Sequence, residues 1–134
     1  MTLADVRADV VILSCAISAG IHGALVPDHF EEGTGAGLGF AVAAVLLALL
    51  AVVLTRKPTQ LAFGAATAVF VGLIASYALA VTTGFPLLHP EPEVVDGLAL
   101  FTKAVEAIGL VLAAGHLQRP SLTVTLRQPK GTPA

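Results

Sequence analysis

Four histidines, nine carboxylates and a single cysteine are the side chains in this sequence most able to do chemistry. Three of the histidines, His22, His29 and His89, lie close in sequence to Asp28, Glu31, Glu32, Glu91, Glu93 and Asp96. Imidazole with carboxylate is a donor set for Zn, Cu, Fe or Ni. Cys15, Ser18, His22 and His29 follow one another at i, i+3, i+7 and i+14, the spacing of one helix face. The expectation is a transition-metal ion of the Cu or Zn class, held by His22, His29 and His89 with carboxylates from Glu31, Glu32, Glu91 or Glu93. No recognised ligand spacing joins these residues. The plainer account is that acidic loops satisfy orientation and solubility, and that the histidines in them are solvated.

A second group is carried by an otherwise apolar run. Lys103 and Glu106 are three residues apart, so they can pair on one helix face. An isolated charge in the middle of a bilayer costs about 2.5–3.5 kcal/mol on insertion scales, so both are expected to face other helices. At matching depth stand Cys15, Ser14 and Ser18 of one run and Ser76 and Tyr77 of another. An intramembrane polar layer of Cys15, Ser18, Tyr77, Lys103 and Glu106 follows. It would serve as an ion or proton relay or a midplane substrate site, or as a salt bridge that fixes packing. His116 falls at the end of its apolar run, where a cation suits a helix C-terminus, and it reads as structural.

Other chemistry is poorly supplied. A lone cysteine, Cys15, allows no internal disulfide and no ordinary thiol exchange pair. No Ser/His/Asp arrangement can be specified, so the chain leans away from enzymes. Bis-histidine haem ligation needs two histidines at one depth, and His22 and His116 sit near opposite faces. Gly35-Ala36-Gly37-Leu38-Gly39 follows no strand and is not a nucleotide loop. The net charge of −2, without a basic patch, argues against a nucleic-acid partner.

The elements that must position these residues are spanning helices. Hydrophobic residues make up 56% of the 134 and charged residues 12%, where a soluble domain carries about 25% charged residues. Four runs approach the ~20 apolar residues a span requires: 8–27, 36–55, 59–83 and 94–117. Residues 1–7 form a short leading segment and 118–134 a flexible tail. Pro27 with Asp28 and His29 is expected to end the first helix, Arg56-Lys57-Pro58 to turn between the second and third, and Gly84, Pro86, Pro90 and Pro92 to stiffen the third connection. Asp5 and Asp9 beside Arg7 deny the first run the clean positive end of a cleaved leader. The fold class is therefore all-α, a polytopic membrane protein built as a four-helix bundle with short loops.

If the helices alternate, Arg7, Arg56, Lys57, Arg119, Arg127 and Lys130 share one side, and the other carries six carboxylates and no Lys or Arg. The positive-inside rule makes the first side cytoplasmic, with both termini there, in an inner or plasma membrane. The Ala-, Val-, Leu- and Gly-rich composition fits a GC-rich bacterium. Three functions follow: outer-face metal binding for handling or delivery, a non-catalytic accessory subunit or assembly factor of a larger membrane complex, and a small dimeric transporter using the Lys103/Glu106 layer. The expected partners are the lipid bilayer and a membrane protein or a second copy of the chain.

Overall fold

A computed structural model describes residues 2–85 and 92–118. These form four helices and no strand: α1 (Leu3–Glu32), α2 (Thr34–Arg56), α3 (Gln60–Thr82) and α4 (Gly97–Leu117). Each is long and apolar enough to cross a bilayer, the make-up of a multi-pass membrane protein. Local chemistry sets where they start. Thr2 and Asp5 form a reciprocal capping box at α1. The Thr59 hydroxyl accepts from the Ala62 N–H at α3, and the Asp96 carboxylate accepts from the Ala99 N–H at 2.7 Å at α4. Past the end of α3, Gly84 takes a left-handed φ of 67°, which a residue without Cβ adopts freely.

The first helix departs from the sequence expectation. α1 continues through Pro27 to Glu32, so Asp28, His29, Glu31 and Glu32 occupy its last turns and not a loop. Proline inside a helix removes one N–H bond, but unwinding near lipid would strand several backbone groups without water to satisfy them. Gly33 alone then joins α1 to α2. At the other connection α4 starts at Gly97, three residues later than expected, because Asp96 is the cap. The Glu93 N–H donates to the Ala80 carbonyl at 3.0 Å and ties that connection back to α3. Pro86, His89, Pro90, Glu91 and the tail from Arg119 lie outside the described residues.

The starts of α1 and α3 meet the ends of α2 and α4 at one end of the bundle, where the Gln60 side-chain amide donates to the His116 carbonyl. This end carries Arg7, Arg56 and Lys57. The opposite, acidic end carries Asp28, Glu31, Glu32, Glu93 and Asp96. Packing differs between the two halves. The buried cluster of Val11, Cys15, Leu47, Leu54, Phe63, Phe70 and Ala113 fills the basic half. α4 approaches closely there because Gly109 has no side chain: a Cβ would lie 2.7 Å from the Phe70 ring and 2.8 Å from Ser14 Cβ. Large apolar side chains such as Val42, Val45, Leu49, Ile108 and Val111 point outward, as a lipid-facing surface requires. The acidic half is not filled in this way, and a cavity occupies it.

Candidate functional site: a cavity above a buried ionic layer

Glu106 is the centre of the layer. It is fully buried on α4, and each carboxylate oxygen has its own donor. Ser18 Oγ of α1 donates to Oε1 at 2.7 Å, and Lys103 Nζ donates to Oε2 at 2.5 Å. The i, i+3 spacing on α4 supplies the lysine; the packing of α1 against α4 supplies the serine. Removing a carboxylate from water is expensive unless its lone pairs are satisfied, and here both oxygens are. Lys103 also lies over the Tyr77 ring of α3, 5.5 Å from its centre. Cys15 is buried with no exposure in the apolar core one turn below Ser18. Ser18, Tyr77, Lys103 and Glu106 thus come together around one charge pair, and Cys15 sits beneath them.

His22 is the next residue up the α1 face, and it is buried. Its Nδ1 lies 2.9 Å from the Ser18 carbonyl and 3.3 Å from Ser18 Oγ. A carbonyl only accepts, so Nδ1 carries the proton and Nε2 is the acceptor of the neutral ring. That Nε2 is 4.0 Å from Glu106 Oε1, beyond hydrogen-bond range. His29 repeats the pattern two turns on: Nδ1–H donates to the Leu25 carbonyl at 2.9 Å, and Nε2 lies 3.9 Å from Glu32. Both rings pack on Phe40 of α2, with centroids 5.1 Å away for His22 and 3.5 Å for His29.

Of the other expected metal ligands, Glu31 and Glu32 are exposed and Glu93 is half-buried at the mouth of the cavity. His89 and Glu91 lie outside the described residues. Among the described residues, no three His, Cys, Asp or Glu side chains gather as a group that could hold a metal ion.

The cavity has a volume of about 440 Å³ and all four helices line it. It runs from Glu93 and Asp96 at the acidic end to Lys103 and Tyr77. His22, His29, Phe40 and Phe85 contribute to its walls, which are mostly apolar. Below it the bundle closes at Gly109 and Phe70. Tyr77 contributes to this lining, and its Oη is sealed from solvent and has no hydrogen-bond partner among the described residues. Orphaned buried hydroxyls are rare because each costs the desolvation of a polar group. A few convergent polar groups in an apolar hollow of this size is the usual form of a small-molecule site.

Sequence reasoning did not single out Phe40 or Gly109. The first is a lone ring in an aliphatic helix at the depth of the histidines. The second stands three residues after an intramembrane carboxylate, which is the signal that could have found it. Comparison with protein-family models, with curated proteins and with solved structures gives no match to this chain.

Proposed function

We propose that this chain is a membrane-embedded binding protein that takes a small ligand from the extracytoplasmic side into the cavity between its four helices. The cavity itself carries the reading, because all four helices line it and its floor is a satisfied ionic layer through Lys103. Support also comes from the asymmetry of the bundle. The half below Glu106 is packed closed, which suits a receptor cavity better than a through-channel. Orientation rests on the Lys and Arg distribution.

Two measurements test this. In a Cys15→Ser background, a cysteine replacing Ala99 on the cavity wall should react with a membrane-impermeant thiol reagent from outside, and one replacing Ala66 in the core should not. Protein released from its own membranes in mild detergent should carry a non-covalent small-molecule adduct by native mass spectrometry. Gly39 lines the cavity, and a Cβ there meets nothing within 4 Å, so Gly39→Phe should fill the space and lose the adduct. An unreactive Ala99 cysteine together with an adduct-free protein overturns the reading.

A second reading is a transition-metal ion of the Cu or Zn class. The observation favouring it is that His22 and His29 each commit Nδ1–H to a backbone carbonyl, leaving Nε2 as the lone-pair donor, the arrangement of metal-ligating histidines. Elemental analysis after Cu or Zn loading tests it. Stoichiometric metal lost in His22→Ala and His29→Ala but kept in His116→Ala is the expected pattern, and a metal-free wild type ends it.

A further inference from the structure

Resting on the binding reading above, we infer that the cavity takes a neutral, lipid-soluble aromatic molecule of the phenol class, its O–H received by Nε2 of His22. The ring proton is placed first. Nδ1 of His22 has two neighbours, the Ser18 carbonyl at 2.9 Å and Ser18 Oγ at 3.3 Å. The carbonyl only accepts, and the hydroxyl gives its own proton to Glu106 Oε1. Nδ1 therefore carries the hydrogen, and Nε2 is left as a bare lone pair. Glu106 Oε1, 4.0 Å from Nε2, is itself an acceptor and cannot satisfy it. Nε2 thus has no hydrogen bond among the described residues, yet unlike Tyr77 Oη it is not sealed from solvent. His22 is 6% exposed and forms part of the cavity wall. A lone pair held in an apolar hollow without a donor is costly, and a ligand that brings one O–H removes that cost.

Charge and lining select the rest of the molecule. His22 stands beside the floor, where Lys103 and Glu106 form a pair that is neutral overall. An anion would pass Glu93 and Asp96 at the mouth and then meet a bare lone pair backed by a carboxylate. A cation would leave those mouth carboxylates for a floor where Lys103 already matches Glu106. Either charge would also lose its water in an apolar hollow. A neutral head avoids these costs. Another hydroxyl of the wall, that of Thr102, is committed to the Leu98 carbonyl. Phe40, packed 5.1 Å from the His22 ring, and Phe85 add aromatic surface, which suits a flat ring better than a sugar. The volume of about 440 Å³ leaves room for two fused rings. Its position inside a membrane-spanning bundle favours a ligand that partitions into lipid.

Naphthol is the probe, and its methyl ether has the same rings and oxygen without the O–H. The full chain in lipid nanodiscs should bind naphthol saturably, one per chain, by equilibrium dialysis corrected with empty nanodiscs. The ether should bind about 3–10-fold more weakly, the effect of losing one hydrogen bond. His22→Phe keeps a ring and removes the nitrogen. It should weaken naphthol by about the same factor and leave the ether unchanged, which shows at the same time that the cavity is intact. His29→Phe should change neither, and naphthoate should not compete. The comparison of the two probes in the wild type decides the matter even where a variant does not fold. Equal wild-type affinity for naphthol and its ether, competition by naphthoate, or a His22→Phe variant that binds naphthol as the wild type does overturns the phenol assignment and leaves the cavity reading standing. So does failure of both probes to bind while the Ala99 cysteine still reacts. Failure of both with an unreactive Ala99 cysteine overturns the two together.

Discussion

Ser18 Oγ donates to Glu106 Oε1 at 2.7 Å, joining α1 to α4 across 88 positions of sequence at a carboxylate with no solvent exposure. The same hydroxyl stands 3.3 Å from His22 Nδ1, so one serine links the ionic pair to the histidine on the cavity wall. A hydrogen bond to a charged group contributes about 1.5–3 kcal/mol. Ser18→Ala should therefore lower stability by about that amount, read as thermal unfolding in detergent. Thr67→Ala is the contrast. Its hydroxyl donates to the Phe63 carbonyl of its own helix, and that loss should cost under about 0.5 kcal/mol.

Gly109 sets how closely α4 can approach. Its missing Cβ would sit 2.7 Å from Phe70 and 2.8 Å from Ser14 Cβ, closer than real carbon contacts allow. Gly109→Ala should destabilise by about 1–3 kcal/mol through overpacking. Adding Phe70→Leu should return part of that loss, since the ring is half of the clash. A Gly109→Ala variant as stable as the wild type would mean that the helices are further apart than described.

Much of this arrangement was legible in the sequence. Four apolar runs bounded by charge and proline are a strong signal because a bilayer leaves the backbone few alternatives. The Lys103 and Glu106 pairing was legible because their spacing is local and the penalty for facing lipid is large. The helix end at Pro27 was misjudged: the local rule about proline is overridden where unwinding would strand more backbone groups than one missing N–H. The gathering of His22, His29 and His89 joins distant segments, and His89 lies outside the described residues. Tyr77 was legible as part of the layer, yet the lack of a hydrogen-bond partner for its hydroxyl among the described residues was not, since satisfaction depends on every neighbour in three dimensions.

Orientation is the third prediction. Arg7, Arg56 and Lys57 share one end, and Asp28, Glu31, Glu32, Glu93 and Asp96 the other. With Cys15→Ser, single cysteines at Thr34 and at Pro58, both exposed at connections, should label from opposite sides of sealed cells. Thr34 should react from outside. Reaction of Pro58 alone from outside would invert the topology and turn the cavity toward the cytoplasm.

The last prediction separates what the ion pair contributes from what its halves cost. Glu106 is buried without exposure, and its Oε2 accepts from Lys103. Breaking a buried pair by removing one partner costs about 3–5 kcal/mol, because the other charge is left unmatched, whereas replacing both with apolar groups is often neutral. Glu106→Leu should thus unfold the bundle more readily than the double change Lys103→Met with Glu106→Leu. Lys103→Met should be the costlier single change, because it leaves a carboxylate with no exposure on its one remaining donor, Ser18, whereas the lone ammonium in Glu106→Leu is 17% exposed and lines the cavity. Lys103 also lines the cavity, so the double variant should regain stability without regaining the small-molecule adduct. Recovery of both together would assign the pair to packing alone. If the double variant is less stable than either single change, the pair contributes more through its mutual attraction than it costs in desolvation, and the layer is a structural fastener in its own right.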